Sequence, residues 1–413
     1  MRIVIVHYTN YVIGGAEVYI SRVIKKLLAL GHKVAFFYEI EKSLTNIKDL
    51  PKISSEQEFC WSVEKLGAVK AIAELKKWQP EIIFSHILLD LSLEETLQNL
   101  AKSVHFIHSY EAICVNSSKL HTFPVLNSCK KSFDWRCLIS FFPLGCGQNN
   151  YPIKRYKLVD LWNSYRKKKQ RLSLLKNYDL IITLSNHMKK EFSNYGLDKI
   201  IVGYEPFNIN SFPKLINFED RKNFFSNIKL LFLSRHEISK GGHYLIEALP
   251  IVAERLSGKI FLTMANDGPK KDVWQKQANL IMKKYSNIYI EFLGFLDELN
   301  IKNLLKTSDL LVVPSLWPEP FGLIGIEAAM EELPVVAFNS GGVSDWLKDG
   351  FNGYLVDSNP PTAEKLANAI IKCLANPNIY NNLKRNSQLI GQHFNFDNHL
   401  KILVDNLEKL LLK

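Results

Sequence analysis

Apolar and polar positions along the chain follow two rhythms. Ile3 to Val6 form a short apolar run, and a loop with Gly14-Gly15 follows. Ile20, Val23, Ile24, Leu27 and Leu28 then recur at helical spacing until Gly31, and VAFFY makes a second run. Short apolar runs bounded by turn residues predict strands, and three-to-four spacing predicts an amphipathic helix, so the first forty residues form a strand–helix–strand unit. EIIFSH near 81, SVHFIHS near 103 and DLIITLS near 179 are further strands. Between the last two, a stretch of about 110–155 rich in cysteine, proline and aromatics breaks the rhythm, as an insertion or binding loop does.

After GYEPFNINSFPK the pattern begins afresh. KLLFLS (229–234), KIFLTMA (259–265), NIYIEFLG (287–294), DLLVVPS (309–315) and PVVAF (334–338) are strand-like, with helical patterns between them. Continuous apolar runs suit a parallel sheet covered on both faces. The boundary falls near 205–212. The expected fold is α/β: two doubly wound lobes facing a central cleft, with ligands at the carboxyl ends of the strands. Residues 1–207, carrying the insertion, make one lobe and 208–390 the other. The segment 391–413, with Asp397 as a candidate cap, is expected to be a helix packing back toward the N-terminal lobe.

The length of 413 residues fits two domains, and 47% hydrophobic with 23% charged residues is a globular balance. A formal charge of +11 points to anionic partners: phosphates, nucleic acid or an acidic membrane surface. No apolar run reaches the roughly 18 residues of a membrane span, and MRIVIVHY reads as a strand rather than a signal peptide. The expected location is cytoplasmic, with peripheral attachment to the inner face of the membrane as an option. Several nucleotide-binding patterns are missing. There is no GxGxxG after the first strand, no GxxxxGK[ST], no D-x-D pair and no HExxH. A diphosphate bound here would be neutralised by backbone amides, a helix N-terminus and basic side chains rather than by a carboxylate-held metal.

The segment 314–356, PSLWPEPFGLIGIEAAMEELPVVAFNSGGVSDWLKDGFNGYLV, carries the most chemistry. Glu319 ends a loop after a strand, Phe321-Gly322 opens a helix, and Glu327 lies inside that helix. A helix carboxylate beside the sheet can accept both hydroxyls of a ribose, and free N–H groups at the helix start can meet phosphate oxygens. On their own, two glutamates at this spacing read as an acidic loop and a solvated face. The whole segment, however, resembles the family-4 retaining glycosyltransferases of the GT-B fold, with two Rossmann-like lobes. Their line runs PS-x-x-E-P-F-G-L-x-x-x-E-A-x-A-x-G-x-P-V-V-A, followed by G-G and an acidic residue. The resemblance implies that Glu319 contacts the donor sugar and Glu327 the ribose, with Phe321, Gly322 and Leu323 lining the site through their backbone. Glu332 stands where the family usually has glycine, at some cost in turn geometry, and Asp345 where glutamate is common. Upstream, FLSRHEISKGG matches the family's R-x4-K with Arg235 and Lys240, which would hold the diphosphate; Ser234 replaces a usual glycine. Asn266-Asp267-Gly268-Pro269 matches a turn of the family.

In the N-terminal half, Gly14 and Gly15 match a glycine-rich loop that would face a phosphate or the acceptor, or else make a tight turn. His108, ending VHFIH, matches the family's histidine near the reaction centre; His105 and His121 have no such match. HSYEAIC resembles a subgroup form H-D-Y-x-x-x-C. Cys114, Cys129, Cys137 and Cys146 follow one another without zinc-finger spacing, leaving free thiols, a disulfide or a structural metal site open. The stretch 151–176 has nine Lys/Arg and one Asp among aromatics and leucines. A solvated basic face and an anionic membrane surface both suit it, and no nucleic-acid recognition motif accompanies it.

The resemblance implies sugar transfer with retention from a UDP- or GDP-sugar to a glycan, lipid-linked or other hydroxyl acceptor, with no cofactor or metal required. The N-terminal lobe would bind the acceptor and the C-terminal lobe the donor. Rival readings are another GT-B activity, such as a nucleotide-sugar epimerase or a sugar phosphorylase, and a silent sugar-nucleotide-binding subunit.

Overall fold

The computed structural model describes residues 1–41, 51–53, 59–146, 157–205, 207 and 226–412. Most of the expected boundary at 205–212, residues 151–156 of the basic stretch, and residues 147–155 of the insertion lie outside the described residues. The described strands are β1 (Arg2–Thr9), β2 (Lys33–Ile40), β3 (Phe59–Ser62), β4 (Ile82–Ser85), β5 (Lys102–Phe106), β6 (Leu120–His121), β7 (Asn127–Ser128), β8 (Leu180–Thr183), β9 (Ile200–Val202), β10 (Asn227–Leu233), β11 (Lys259–Ala265), β12 (Ile288–Phe292), β13 (Leu310–Val313), β14 (Val335–Phe338) and β15 (Gly353–Val356). The chain divides into two compact units.

The first unit comprises Met1–Ile113, Asn163–Tyr204 and Phe396–Lys413. Its seven-stranded sheet has the order β3-β2-β1-β4-β5-β8-β9, every neighbour parallel. Ile3, Val4, Ile5 and Val6 are fully buried, because a central parallel strand is covered on both faces. Helix Gly15–Ala29 buries Ile20, Val23, Ile24 and Leu27, four of the five positions its spacing marks, and leaves Leu28 half-buried. The chain returns at its end as helix Phe396–Leu411, whose Leu400, Leu403 and Leu407 join the same core. Asp397 is not the cap here; it lies in the first turn, and its carboxylate meets Lys26 Nζ at 2.6 Å.

The second unit comprises Cys114–Trp162 and Glu205–Asn395. Its six-stranded parallel sheet runs β12-β11-β10-β13-β14-β15, and β6 and β7 form a separate antiparallel hairpin. The division differs from the linear expectation in two places. The cysteine-rich segment groups with the second unit, where Leu126 packs against the apolar core and Ser128 bonds the loop after β13. Helix Pro377–His393 also belongs to the second unit, so the returning helix begins at Phe396 rather than near 391. In both sheets the strand order reverses beside the first strand of the unit, between β1 and β4 and between β10 and β13. The carboxyl ends of those strands are where an open α/β sheet leaves a crevice for ligands.

Candidate functional site

In the second unit the strand-end loops after β10 and β13 meet. Lys240 Nζ stands 2.7 Å from Glu319 Oε1 and 4.3 Å from the centre of the Trp317 ring. Both charged groups are largely buried, with side-chain exposures of 17% and 11%, so their attraction is only weakly screened by water. Glycines make the approach possible. Gly241 has φ 67°, and a Cβ there would lie 1.9 Å from the Pro314 carbonyl oxygen. Gly341 has φ 66°, and its Cβ would lie 2.3 Å from the Glu319 carbonyl oxygen, which accepts from Gly342 N–H at 2.7 Å. The backbone of Glu319 is thus clamped by the glycine pair after β14.

Gly322, at φ 85°, precedes helix Leu323–Met330 and supplies no capping side chain, so the first amides of the helix are left to other partners. Glu327 lies one turn into this helix and is half-buried. Phe321 is buried, and its carbonyl oxygen accepts from Trp346 Nε1 at 2.6 Å; that oxygen is committed to the fold. Arg235, expected beside Lys240, pairs instead with Glu237, Nη2 to Oε1 at 2.8 Å. Glu237 is buried, while the Arg235 side chain is 60% exposed and can swing to another anion. Each of the two cations therefore has a carboxylate partner. Asn266, at φ 90°, and Gly268 hold the turn after β11 against the His236 backbone, a structural role.

In the first unit, histidines collect at the carboxyl ends of β1, β4 and β5. His86 Nδ1 lies 2.8 Å from His108 Nε2, and His7 Nε2 lies 3.1 Å from Glu17 Oε1. Burial pushes the His108 imidazole down to about 3, with His7 adding to the effect, and burial holds His86 well below the ordinary histidine value. Both are neutral at pH 7. Among the described residues His86 Nε2 has no partner, and a buried orphan donor costs more than an orphan acceptor. The hydrogen of His86 is therefore assigned to Nδ1, donating to His108 Nε2, which leaves His108 an N–H donor at Nδ1. The glycine loop behaves differently from a bare phosphate cradle. Gly14 N–H donates to Glu17 Oε2 at 2.8 Å, so that amide is occupied. Gly14 has extended backbone, and a Cβ on Gly15 would meet nothing within 4 Å, so neither glycine is required by a tight turn. The open space at Gly15 is the part of the loop free to receive a ligand.

The four clustered cysteines, Cys114, Cys129, Cys137 and Cys146, are free thiols. Burial raises Cys114, Cys137 and Cys146 above the usual thiol range. Among the described residues no three His, Cys, Asp or Glu side chains form a set able to hold a metal ion. His105, without a match in the sequence, is buried 3.7 Å from Glu94, which also holds Arg171 at 2.8 Å and the Tyr178 hydroxyl at 2.9 Å. Trp317, Glu237, His86, His7 and Glu17 carry no signal in the linear pattern. They become visible only when strand ends and loops distant in sequence converge.

Two family descriptions match the chain: "Glycosyltransferase Family 4" over residues 13–210 and "Glycosyl transferases group 1" over residues 216–389. An uncharacterized glycosyltransferase of Methanocaldococcus jannaschii is 29% identical over 247 residues, covering 56% of this chain and 60% of that protein. A glycogen synthase of Mycobacterium tuberculosis is 31% identical over 209 residues, covering 49% of this chain and 47% of that protein. The chain thus spans about half the length of these curated relatives. Among solved structures, Anabaena HepE in complex with UDP and glucose superposes with a TM-score of 0.64 at 18% identity, over 99% of this chain and 100% of that one. Two family matches that meet near residue 213, on two parallel-sheet units with this fold likeness, show that the chain belongs to the family-4 glycosyltransferases and has their GT-B fold.

Proposed function

We propose that the protein transfers a sugar from a nucleotide-sugar to a hydroxyl acceptor, a glycan or lipid-linked saccharide, with retention at the anomeric carbon. The observation that carries this reading is the Lys240–Glu319 pair, beside a helix whose start lacks a capping side chain and whose first turn ends at Glu327. A donor diphosphate would replace the carboxylate partners of Lys240 and Arg235. Glu319, released, would accept hydrogen bonds from donor-sugar hydroxyls, and Glu327 would accept from the ribose. The glycosidic bond to phosphate breaks as the acceptor oxygen attacks from the same face, and the departing phosphate oxygen takes the acceptor proton. Positioning and fixed positive charge supply the catalysis. His108, in the first unit, is a neutral hydrogen-bond donor of the kind that suits a sugar hydroxyl. Like HepE, which was solved with UDP and glucose, the protein is read as a user of a nucleoside-diphosphate sugar, UDP or GDP. No metal is assigned, because the cations that would balance the diphosphate are in the chain and no D-x-D is.

The test incubates the protein with a panel of UDP- and GDP-sugars and measures released nucleotide with and without EDTA. Turnover of one donor at a rate EDTA leaves unchanged is expected, and Lys240→Ala should cost about 2 kcal/mol or more of transition-state stabilisation. Strict dependence on Mn²⁺ or Mg²⁺ would remove the metal-free scheme. Interconversion of the donor without transfer would point to an epimerase, phosphate-dependent cleavage to a phosphorylase, and binding without turnover to a silent subunit.

A further inference from the structure

The segment Cys114–Trp162 lies in sequence between β5 and β8 of the first unit, yet it packs on the second. Its hairpin pairs Leu120 with Ser128 and His121 with Asn127. From the hairpin, Ser128 Oγ donates to the Leu316 carbonyl oxygen at 3.2 Å, and Leu126 seats against the apolar core of the second unit. Asp357 has its pKa lowered, chiefly by its bond to Lys365, and Lys130, just beyond β7, is near enough to add to that effect. Backbone bonds keep the hairpin itself in place: Cys129 N–H donates to Lys119 O at 2.6 Å, and Thr122 N–H to Leu144 O at 2.9 Å.

Leu316 immediately precedes the ring on which Lys240 rests. The peptide joining Leu316 to Trp317 is gripped on both edges. Its carbonyl accepts from Ser128, and its N–H, that of Trp317, donates to Ser239 O at 3.1 Å. The next carbonyl, Trp317 O, accepts from Ser340 Oγ at 2.6 Å. With the peptides on both sides of Trp317 held, its Cα–Cβ bond keeps one direction, and the ring swings only among the rotamers about that bond. Its ring face then attracts the Lys240 ammonium at 4.3 Å, two residues before Glu319 in sequence. Ser239 and Ser340 belong to the lobe's own loops; Ser128 is the grip supplied by the insertion.

We infer that the hairpin Leu120–Ser128 is a specificity element of the donor site: through the Leu316–Trp317 peptide it sets the ring beside Lys240 and Glu319 and so selects which sugar is accepted there. This inference rests on the reading of Glu319, Lys240 and Glu327 as the donor site. Ser128 and Trp317 are positioning residues. Glu327 is assigned to the ribose and Lys240 to the diphosphate, so the loss of Ser128, whose bond goes to Leu316 O and not to either residue, is expected to change sugar selection more than free-nucleotide affinity.

The experiment uses UDP or GDP, whichever the full-length protein binds, and two sugars on that base: UDP-glucose against UDP-N-acetylglucosamine, or GDP-mannose against GDP-glucose. Ser128→Ala is expected to raise KM for the preferred donor about three- to tenfold and shift the kcat/KM ratio of the two sugars at least about threefold. Affinity for the free nucleotide should stay within about twofold. Ser128→Thr, which keeps the hydroxyl, should restore the ratio. Trp317→Leu should shift it further than Trp317→Phe, which keeps an aromatic face, and this pair carries the test if Ser128→Ala does not fold. An unchanged ratio in folded Ser128→Ala and Trp317→Leu, or a parallel loss of free-nucleotide affinity, would overturn the inference. Glu327→Ala separates the two failures. If it leaves free-nucleotide binding intact, or the wild type binds neither nucleotide, the donor-site reading falls; if it weakens binding while the sugar ratio stays fixed in the other variants, only the hairpin's role falls.

Discussion

Glu332 has φ 58°, a left-handed backbone that a side chain other than glycine disfavours. It closes the turn after helix Leu323–Met330, where the sequence pattern of the family leads one to expect glycine. Its carboxylate accepts from Gln388 Nε2 at 2.8 Å on the exposed surface, a bond worth a few tenths of a kcal/mol after competition with water. Relief of strain wins, so Glu332→Gly should stabilise the protein by about 0.5–1 kcal/mol, visible as a rise of about 1–3 °C in Tm. A fall in Tm would show that the carboxylate contact matters more than the backbone. The two glutamates of the candidate site should fail differently. Glu327→Ala should weaken binding of UDP or GDP alone, whereas Glu319→Ala should leave that binding largely intact and reduce transfer. Calorimetry with free nucleotide distinguishes them, and equal losses would mean the roles are wrongly assigned. Glu319→Ala also strands the buried Lys240 ammonium without its carboxylate, so part of the lost rate will reflect a displaced lysine.

The element whose reading changes most is the basic helix Leu158–Leu175. In the linear pattern its cations form one set. In three dimensions Arg171 is buried with Glu94, and Lys168 meets Glu111 at 3.4 Å, whereas Arg166, Lys167 and Lys169 face solvent. Leu158, Val159 and Trp162 are exposed, at 74%, 65% and 50%. Beside the helix, an open hollow of about 450 Å³ is lined by Leu89, Asp90, Ser92, Asn163, Arg166 and Lys167. Among the described residues no helix is long and apolar enough to cross a membrane. We propose that the exposed part of this helix lies against an anionic bilayer, where each basic residue contributes about 1 kcal/mol within a Debye length. Wild type should co-sediment with anionic vesicles at low salt and release at high salt. Replacing Arg166, Lys167 and Lys169 with Ser, with Lys168 and Arg171 left in their ion pairs, should abolish binding while donor hydrolysis persists. A wild type that ignores such vesicles at low salt would make the helix a solvated face.

Across the whole molecule, buried neutral histidines set the response to acid. His399 is the clearest: Nδ1–H donates to Gly203 O at 2.8 Å, and Nε2 accepts from the Tyr19 hydroxyl at 2.7 Å. Burial lowers its pKa to about 4. Above about pH 6.5 native and unfolded chains both hold this ring neutral, and its contribution to stability is complete. Below that pH the unfolded chain takes up a proton that the native chain refuses until about pH 4, so stability falls as pH falls through this window. At pH 5 the loss from His399 is about 2 kcal/mol, and the lowered His7, His86, His105 and His108 act in the same direction. Thermal melts from pH 7.5 to 5.0 should show a steep decline, shallower by about one proton in His399→Gln. A flat profile would contradict the neutral assignment.

The sequence by itself determined the two sheets, because buried parallel strands are continuous apolar runs: KIFLTMA is β11 to the residue, and EIIFSH, DLLVVPS and PVVAF contain β4, β13 and β14. Short strands such as FCWS and IIV escape that pattern, since three or four residues with polar neighbours look like loop. Arg235, Lys240, Glu319 and Glu327 stood out through their match to the family's pattern; periodicity alone places them at strand ends and in a helix and gives them no role. Tertiary structure decided the rest. Arg235 and Lys240 each found a carboxylate, His86 came to His108, and the cysteine-rich insertion joined the second unit rather than the one that flanks it in sequence. Those outcomes depend on contacts between residues tens to hundreds of positions apart. Linear periodicity describes which face of an element is buried, and carries no record of which distant element buries it.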